Sequence, residues 1–261
     1  IDIEIFKYIE DIDKAIHESP PDILGLSNYC WSFNASKEIF KIYKKINPNG
    51  ITVWGGPNFP LDMPSQEKFM KEHSEVDVYV PTDGEVGFSN VVKYCLDLKT
   101  NENNISKFFS EPLEGCISRT EDGKLHHVFS QPRIKHLDEI PSPYSMGLMD
   151  KFFDGLLTPM VQTNRGCPFH CSFCTDGKDS VDLVNNFSIE RVNSDLNYIA
   201  EHVPKTTHSL HISDLNFGMY PRDMQICDTL AGIQQKFDYP HFIKCTTGKN
   251  QKDKIIDAIK K

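Results

Sequence analysis

Ile51-Thr52-Val53-Trp54-Gly55-Gly56-Pro57 is a short apolar run closed by two glycines and a proline. Four strand-favouring residues followed by backbone punctuation read as a buried β-strand entering a tight turn. On its N-terminal side the spacing predicts a helix from about Ala35 to Ile46, stopped by Asn47-Pro48-Asn49-Gly50. Before that helix, Ile23-Leu24-Gly25-Leu26-Ser27 repeats the buried-strand pattern after the break at Pro20-Pro21. Ile9 to His17 is spaced as a helix, and Ile1 to Phe6 alternates apolar and acidic residues as a strand would. Downstream, a helix at about Gln66 to His73 leads to a strand at Val76 to Val80, and Asp83-Gly84-Glu85 opens a helix through Leu98. Strands separated by helices of roughly 10–15 residues form βαβ units and a parallel sheet. The expected fold class is therefore α/β, beginning with a Rossmann-like parallel-sheet domain over residues 1–105, whose ligand should lie beyond the C-terminal strand ends.

Residues 106–157 break that rhythm and are expected to form a linker. Within it, Cys116 to Arg119 and Lys124 to Phe129 flank Thr120-Glu121-Asp122-Gly123 as a β-hairpin, and Ile140-Pro141-Ser142-Pro143-Tyr144 reads as a stiff connector. Strand and helix signals resume over 158–261. A strand at about Pro159 to Thr163 is followed by a helix at Ser188 to Ala200. A second strand, Ser209 to Ile212, ends at the polar stretch Ser213-Asp214-Leu215-Asn216-Phe217-Gly218, and a third runs from about His241 to Thr246. The chain begins without Met and stops inside a helical pattern, Lys254 to Lys261, so it reads as a piece of a longer protein.

Hydrophobic residues make up 39% of the chain and charged residues 25%, a composition suited to a packed core. The formal charge of −9 argues against general nucleic-acid binding. No apolar run has the length of a membrane span, and the acidic N-terminus is unlike a signal peptide. Eight cysteines without a secretion signal fit the reducing cytoplasm. Cys30, Cys95, Cys116, Cys227 and Cys245 are scattered and expected to be buried small apolar residues.

The other three cysteines lie together in Thr163-Asn164-Arg165-Gly166-Cys167-Pro168-Phe169-His170-Cys171-Ser172-Phe173-Cys174. Thiolates suit iron–sulfur clusters, zinc or copper(I). Most clusters take four cysteines, so three leave one iron open to a small molecule, with Phe173 beside it. The alternative is a structural zinc site completed by His170, making the chain a non-catalytic interaction module. Zinc knots usually need a second cysteine pair, which is missing, and His170 sits awkwardly between two of its partners.

At these residues the sequence resembles the radical S-adenosylmethionine (SAM) superfamily, whose signature is C-x3-C-x-aromatic-C. The preceding strand and Arg165-Gly166 share in the resemblance. It implies that Cys167, Cys171 and Cys174 bind a [4Fe–4S] cluster, that SAM chelates the fourth iron, and that reductive cleavage of SAM yields a 5′-deoxyadenosyl radical. Phe173 would lie near the adenine. The family's Gly-Gly-Glu type motif for the SAM amino group is absent, and Asp214 and Asn216 occupy the equivalent place. The resemblance further implies a truncated (β/α) partial barrel, of which residues 158–261 supply the N-terminal half, and an electron donor such as flavodoxin or ferredoxin.

Asp22 to Ser27, Trp54-Gly55-Gly56-Pro57 and Asp83-Gly84-Glu85 with Phe88 resemble the cobalamin-binding domain found beside some radical SAM cores. Ser27, Gly55, Gly56, Gly84 and Glu85 would then face a corrin. The Asp-x-His-x-x-Gly motif, which supplies a histidine to cobalt in that family, is not found. The expected activity is SAM cleavage in a cobalamin-dependent enzyme, with methyl transfer or related radical chemistry on a small-molecule or peptide substrate. The alternative is a radical SAM enzyme whose first domain binds no cobalamin.

Overall fold

The computed structural model describes residues 1–81, 83–99, 108, 110–120, 122–128, 134–177 and 182–261. The chain divides into two compact units, Ile1–Arg133 and Ile134–Lys261.

In the first unit the elements run α1 (Ile9–Glu18), β1 (Ile23–Ser27), α2 (Phe33–Ile46), β2 (Ile51–Gly55), α3 (Met63–Glu72), β3 (Val78–Val80), α4 (Gly84–Asp97), β4 (Cys116–Arg119) and β5 (Leu125–Val128). The sheet order is β1-β2-β3-β4-β5. The first three strands are parallel, with Ser27 beside Gly55 and Gly55 beside Val80, so their C-terminal ends form one edge. Side chains of β2 alternate between faces, as a pleated strand requires. Trp54 packs in the core with Phe40, Tyr43 and Met70 from α2 and α3, while Ile51 and Val53 pack with Val91 and Cys95 from α4. Both faces of the sheet are thereby covered, as in a Rossmann-like fold.

Two expectations change here. Ile1 to Phe6 forms no strand, and Ile1 and Ile3 stay exposed, because no sheet edge receives them. The hairpin forms as read, but β4 pairs antiparallel with β3, so it extends the first sheet. The Arg119 guanidinium fixes this pairing by donating to the carbonyls of Met70, His73 and Val76.

The second unit begins in what was expected to be linker. Leu137, Tyr144 and Phe152 are buried, and Arg191 Nη1 donates to the Ile140 carbonyl at 2.7 Å. The Tyr144 hydroxyl donates to the Met160 carbonyl at 2.6 Å. The Ile140–Tyr144 stretch is thus part of this unit's packing. The 106–157 segment is shared between the units. Then follow β6 (Met160–Val161), β7 (Asn164–Arg165), β8 (Asn185–Asn186), α5 (Ile189–His202), β9 (Ser209–Phe217), α6 (Asp223–Phe237), β10 (Phe242–Thr247) and α7 (Lys252–Lys260). Ser188 caps α5 by accepting from the Arg191 N–H at 3.1 Å. β6, β9 and β10 form a parallel sheet in the order β10-β9-β6, giving three successive βα units. Val161, Leu210 and Ile212 join Leu196, Ile199, Ile226 and Leu230 in its core.

β9 runs five residues beyond the expected Ser209–Ile212 strand, to Phe217. The polar stretch expected to end the strand continues the pleat, with Asp214 and Asn216 on the buried face. No described helix is long and apolar enough to cross a membrane.

Candidate functional site

The cysteine loop of the second unit springs from a closed stem. β7 and β8 pair antiparallel, with Asn164 opposite Asn186 and Arg165 opposite Asn185. Arg222, at the start of α6, bridges this stem: Nη1 donates to the Thr163 carbonyl at 2.9 Å and to Asn186 Oδ1 at 3.0 Å, and Nη2 to the Phe187 carbonyl at 2.5 Å. Gly166 then turns the chain at φ +122°, where a Cβ would lie 2.2 Å from the Leu183 carbonyl oxygen. Only glycine tolerates both conditions.

Within the loop Cys167 is buried, Cys171 half-buried and Cys174 exposed. The Cys174 N–H donates to the Cys171 carbonyl at 3.0 Å and the Gly177 N–H to the Cys174 carbonyl at 3.1 Å, two successive turns. A Cβ on Gly177 would lie 2.4 Å from the Cys171 carbonyl oxygen, so the loop closes tightly on itself. Phe173 is 89% exposed and open to stacking. The Nζ of the exposed Lys249 lies 5.0 Å from the centroid of the Phe169 ring.

Asp214 and Asn216 lie two residues apart on the inward face of β9, and each meets the strand that leads into the loop. The Asp214 carboxylate accepts from the Thr163 N–H at 2.7 Å, the Thr163 hydroxyl, the Asn164 N–H at 3.3 Å and Asn164 Nδ2 at 2.8 Å. Burial pushes its carboxyl up, and the Thr163 and Asn164 donors pull it part of the way back. Asp214 is thereby committed to bracing the scaffold. Asn216 Nδ2 donates to Cys167 Sγ at 3.3 Å, while its Oδ1 is buried without a partner. The Tyr220 hydroxyl is also buried without a hydrogen bond, and burial followed by the nearby Cys167 pushes its pKa up.

Among the described residues no three His, Cys, Asp or Glu side chains converge on a single-ion position. A [4Fe–4S] cluster asks for something else, since each thiolate takes a separate iron. A three-thiol loop on a stem bridged by Arg222, beside an unsatisfied buried amide oxygen, fits such a group.

The first unit presents a second constellation at the C-terminal edge of its parallel strands. Ser27, Gly55 and Gly56 lie there together, and Gly84 and Glu85 begin α4 just past β3. Asn28, which the sequence did not single out, is the hub. It is fully buried, and its N–H donates to the Gly55 carbonyl at 2.6 Å. Its Nδ2 donates to the Asn58 carbonyl at 2.7 Å and to the Tyr79 hydroxyl at 3.0 Å. The Tyr79 hydroxyl in turn donates to the Gly56 carbonyl at 2.8 Å.

Gly56, at φ +130°, needs its missing side chain for this contact, because a Cβ would meet the Asn28 carbonyl oxygen at 2.6 Å. Gly84 faces open space. Tyr29 and Trp31 stack at 4.7 Å just beyond β1, with Trp31 78% exposed. An open cavity of about 580 Å³ lies alongside, lined by Cys30, Phe33, Phe59, Phe69 and the Pro57–Pro60 loop. A corrinoid is larger than this, so the cavity would admit one part of it.

Residues 1–92 match the family model described as the B12 binding domain. The chain is 31% identical over 254 residues to the cobalamin-dependent radical SAM methyltransferase TokK of Streptomyces tokunonensis, covering 92% of this chain and 34% of that protein. The chain is thus similar to a cobalamin-dependent radical SAM methyltransferase over nearly all of its own length. It is also 30% identical over 252 residues to the 2-(S-pantetheinyl)-carbapenam-3-carboxylate methyltransferase of Streptantibioticus cattleyicolor, covering 92% of this chain and 34% of that protein. The fold is that of the cobalamin-dependent radical enzyme OxsB, whose apo structure superposes with a TM-score of 0.65 at 19% identity, over 97% of this chain and 35% of that one. The chain thus spans about a third of the length of the curated relatives it matches.

Arg222, Gly177 and Asn28 carry the local architecture without belonging to any motif read from the sequence. Two of the scattered cysteines differ from expectation, because Cys30 and Cys245 are exposed while Cys95, Cys116 and Cys227 are buried.

Proposed function

We propose that this chain carries the cofactor-binding part of a radical SAM enzyme that uses cobalamin to transfer methyl groups. Cys167, Cys171 and Cys174 hold a [4Fe–4S] cluster, and SAM binds at the iron they leave free. Asn216 offers its unpaired Oδ1 to the SAM ammonium, a better acceptor than Asp214, whose oxygens already take four donors. Phe173 lies open to stack on the adenine. Ser27, Gly55, Gly56, Gly84 and Glu85, with the Tyr29–Trp31 pair, form the edge that receives the corrin. When bound, these groups supply one-electron cleavage of SAM and methyl carriage. The protein positions them and excludes water from the buried Cys167 side.

The substrate is a small molecule or peptide, and the electron comes from a flavodoxin or ferredoxin. A cytoplasmic location suits such oxygen-sensitive chemistry. The observation that carries the reading is the three-cysteine loop held on its stapled stem.

Anaerobic reconstitution with iron, sulfide and hydroxocobalamin tests it. Four irons, four sulfides and one corrin per chain are expected, and Cys171→Ala should lose the brown chromophore and SAM cleavage under dithionite. Stoichiometric zinc with no iron uptake would defeat the proposal. Iron without corrin would confine it to radical SAM chemistry.

A further inference from the structure

We propose that Asn216 sets the reduction potential of the cluster by donating its amide N–H to the thiolate of Cys167. This rests on the cluster reading above, and it gives Asn216 a role distinct from holding SAM. It makes Asn216 a positioning and tuning residue, acting through a cysteine.

The geometry begins on β9. Side chains two apart on a strand share a face, and the inward-facing Asp214 and Asn216 meet successive parts of one incoming segment. Asp214 locks Thr163 and Asn164, which fixes that segment against β9. Three residues further along it, Cys167 is brought to Asn216, with Nδ2 to Sγ at 3.3 Å. Both residues are buried, Asn216 at 1% exposure and Cys167 at 4%. The contact is therefore built by the scaffold and shielded from water.

The amide orientation has a physical reason. A flip would aim Oδ1 at the sulfur, and an oxygen lone pair beside a thiolate is repelled, whereas an N–H is attracted. Keeping the N–H on the sulfur leaves Oδ1 as a buried acceptor with no partner. Such an orphan is costly to bury, so its retention calls for a use. The N–H···S bond supplies one. When the cluster gains an electron, negative charge on its sulfur ligands grows, and a donor to one of them stabilises the reduced form more than the oxidised form. Hydrogen bonds to the sulfurs are among the levers that set cluster potentials, and burial keeps this one unscreened.

The test is an anaerobic redox titration of the reconstituted protein, followed by electron paramagnetic resonance, without SAM. Asn216→Leu keeps the approximate volume and removes the donor. It should hold full iron and sulfide but fall by roughly tenfold in the reduced-to-oxidised ratio at a fixed solution potential, a shift of about 59 mV for one electron. Asn216→Gln, which retains an amide N–H, should recover part of that shift. Should the Leu variant fail to fold, the wild-type protein decides: with asparagine side-chain nitrogen labelled as 15N, the reduced cluster should show hyperfine coupling to an asparagine 15N. A fully loaded Leu variant with an unchanged potential, or a wild-type cluster without that coupling, overturns this inference alone. A wild-type protein that assembles no cluster overturns the cluster reading and this inference with it.

Discussion

Gly177 has no side chain because the loop leaves no room for one. A Cβ there would sit 2.4 Å from the Cys171 carbonyl oxygen, and relieving that clash would shift the backbone that sets Cys171 and Cys174. Gly177→Ala should therefore strain the loop by about 1–3 kcal/mol. The expected outcome is a far-UV circular dichroism spectrum like the wild type's, with most of the iron lost after anaerobic desalting; wild-type iron content in the variant would show that the loop can relax. The three cysteines stood out by their spacing, and Gly166 by the family resemblance. Gly177 was not, because its constraint is the backbone of a residue six positions earlier, met only once the loop is folded. Asn28 was hidden for a related reason: its partners at Gly55, Asn58 and Tyr79 are brought to it by parallel strand pairing.

At the scale of elements, the stem formed by β7 and β8 depends on Arg222. One half-buried guanidinium reaches the residue before β7, Asn186 of β8 and the residue that follows β8. Removing it leaves the Thr163 and Phe187 carbonyls short of a donor, at a cost of about 2 kcal/mol. Arg222→Ala should bind the same amount of iron as the wild type but surrender it faster to a chelator, and equal stripping rates would show that the stem stands without the staple. The longer helices and strands were readable because their apolar periodicity is sustained. The two-residue strands β7 and β8 are too short for any period, while β6 lies within the strand expected at about Pro159 to Thr163. β9 was underestimated because Ser213, Asp214 and Asn216 read as the polar end of a strand; the buried Asp214 and Asn216 find donors or acceptors at Thr163, Asn164 and Cys167, far away in sequence. Ile1 to Phe6 failed in the opposite direction, since alternation makes a strand only where an edge is available.

At the scale of the whole molecule, each unit has its own core and carries its own constellation. Gly56→Val forces a side chain against the Asn28 carbonyl oxygen in the first unit. The variant should lose corrin uptake on reconstitution while keeping wild-type iron, and loss of both together would mean that the substitution unfolds more than the edge it targets. The α/β alternation of each unit was evident in the sequence, but the boundary was not. Residues 106–157 lack a sustained period, and only tertiary pairing shows the hairpin joining one sheet and Tyr144 the other core.

The distribution of the eight thiols has a consequence for handling the protein in air. Burial pushes Cys95 and Cys116 up to about 12 and Cys227 up to about 11, keeping them protonated and inert toward oxidants. Cys174, by contrast, is exposed and Cys171 partly so. Oxygen damage to the apo loop should therefore start at its outer end and progress inward, through sulfenic acid to forms that no thiol reductant reverses. Cys167, deepest in the loop, is the last to be spoiled. A preparation can thus keep its fold and the buried thiols of Cys95, Cys116 and Cys227 intact while the loop has already lost the ability to take up iron.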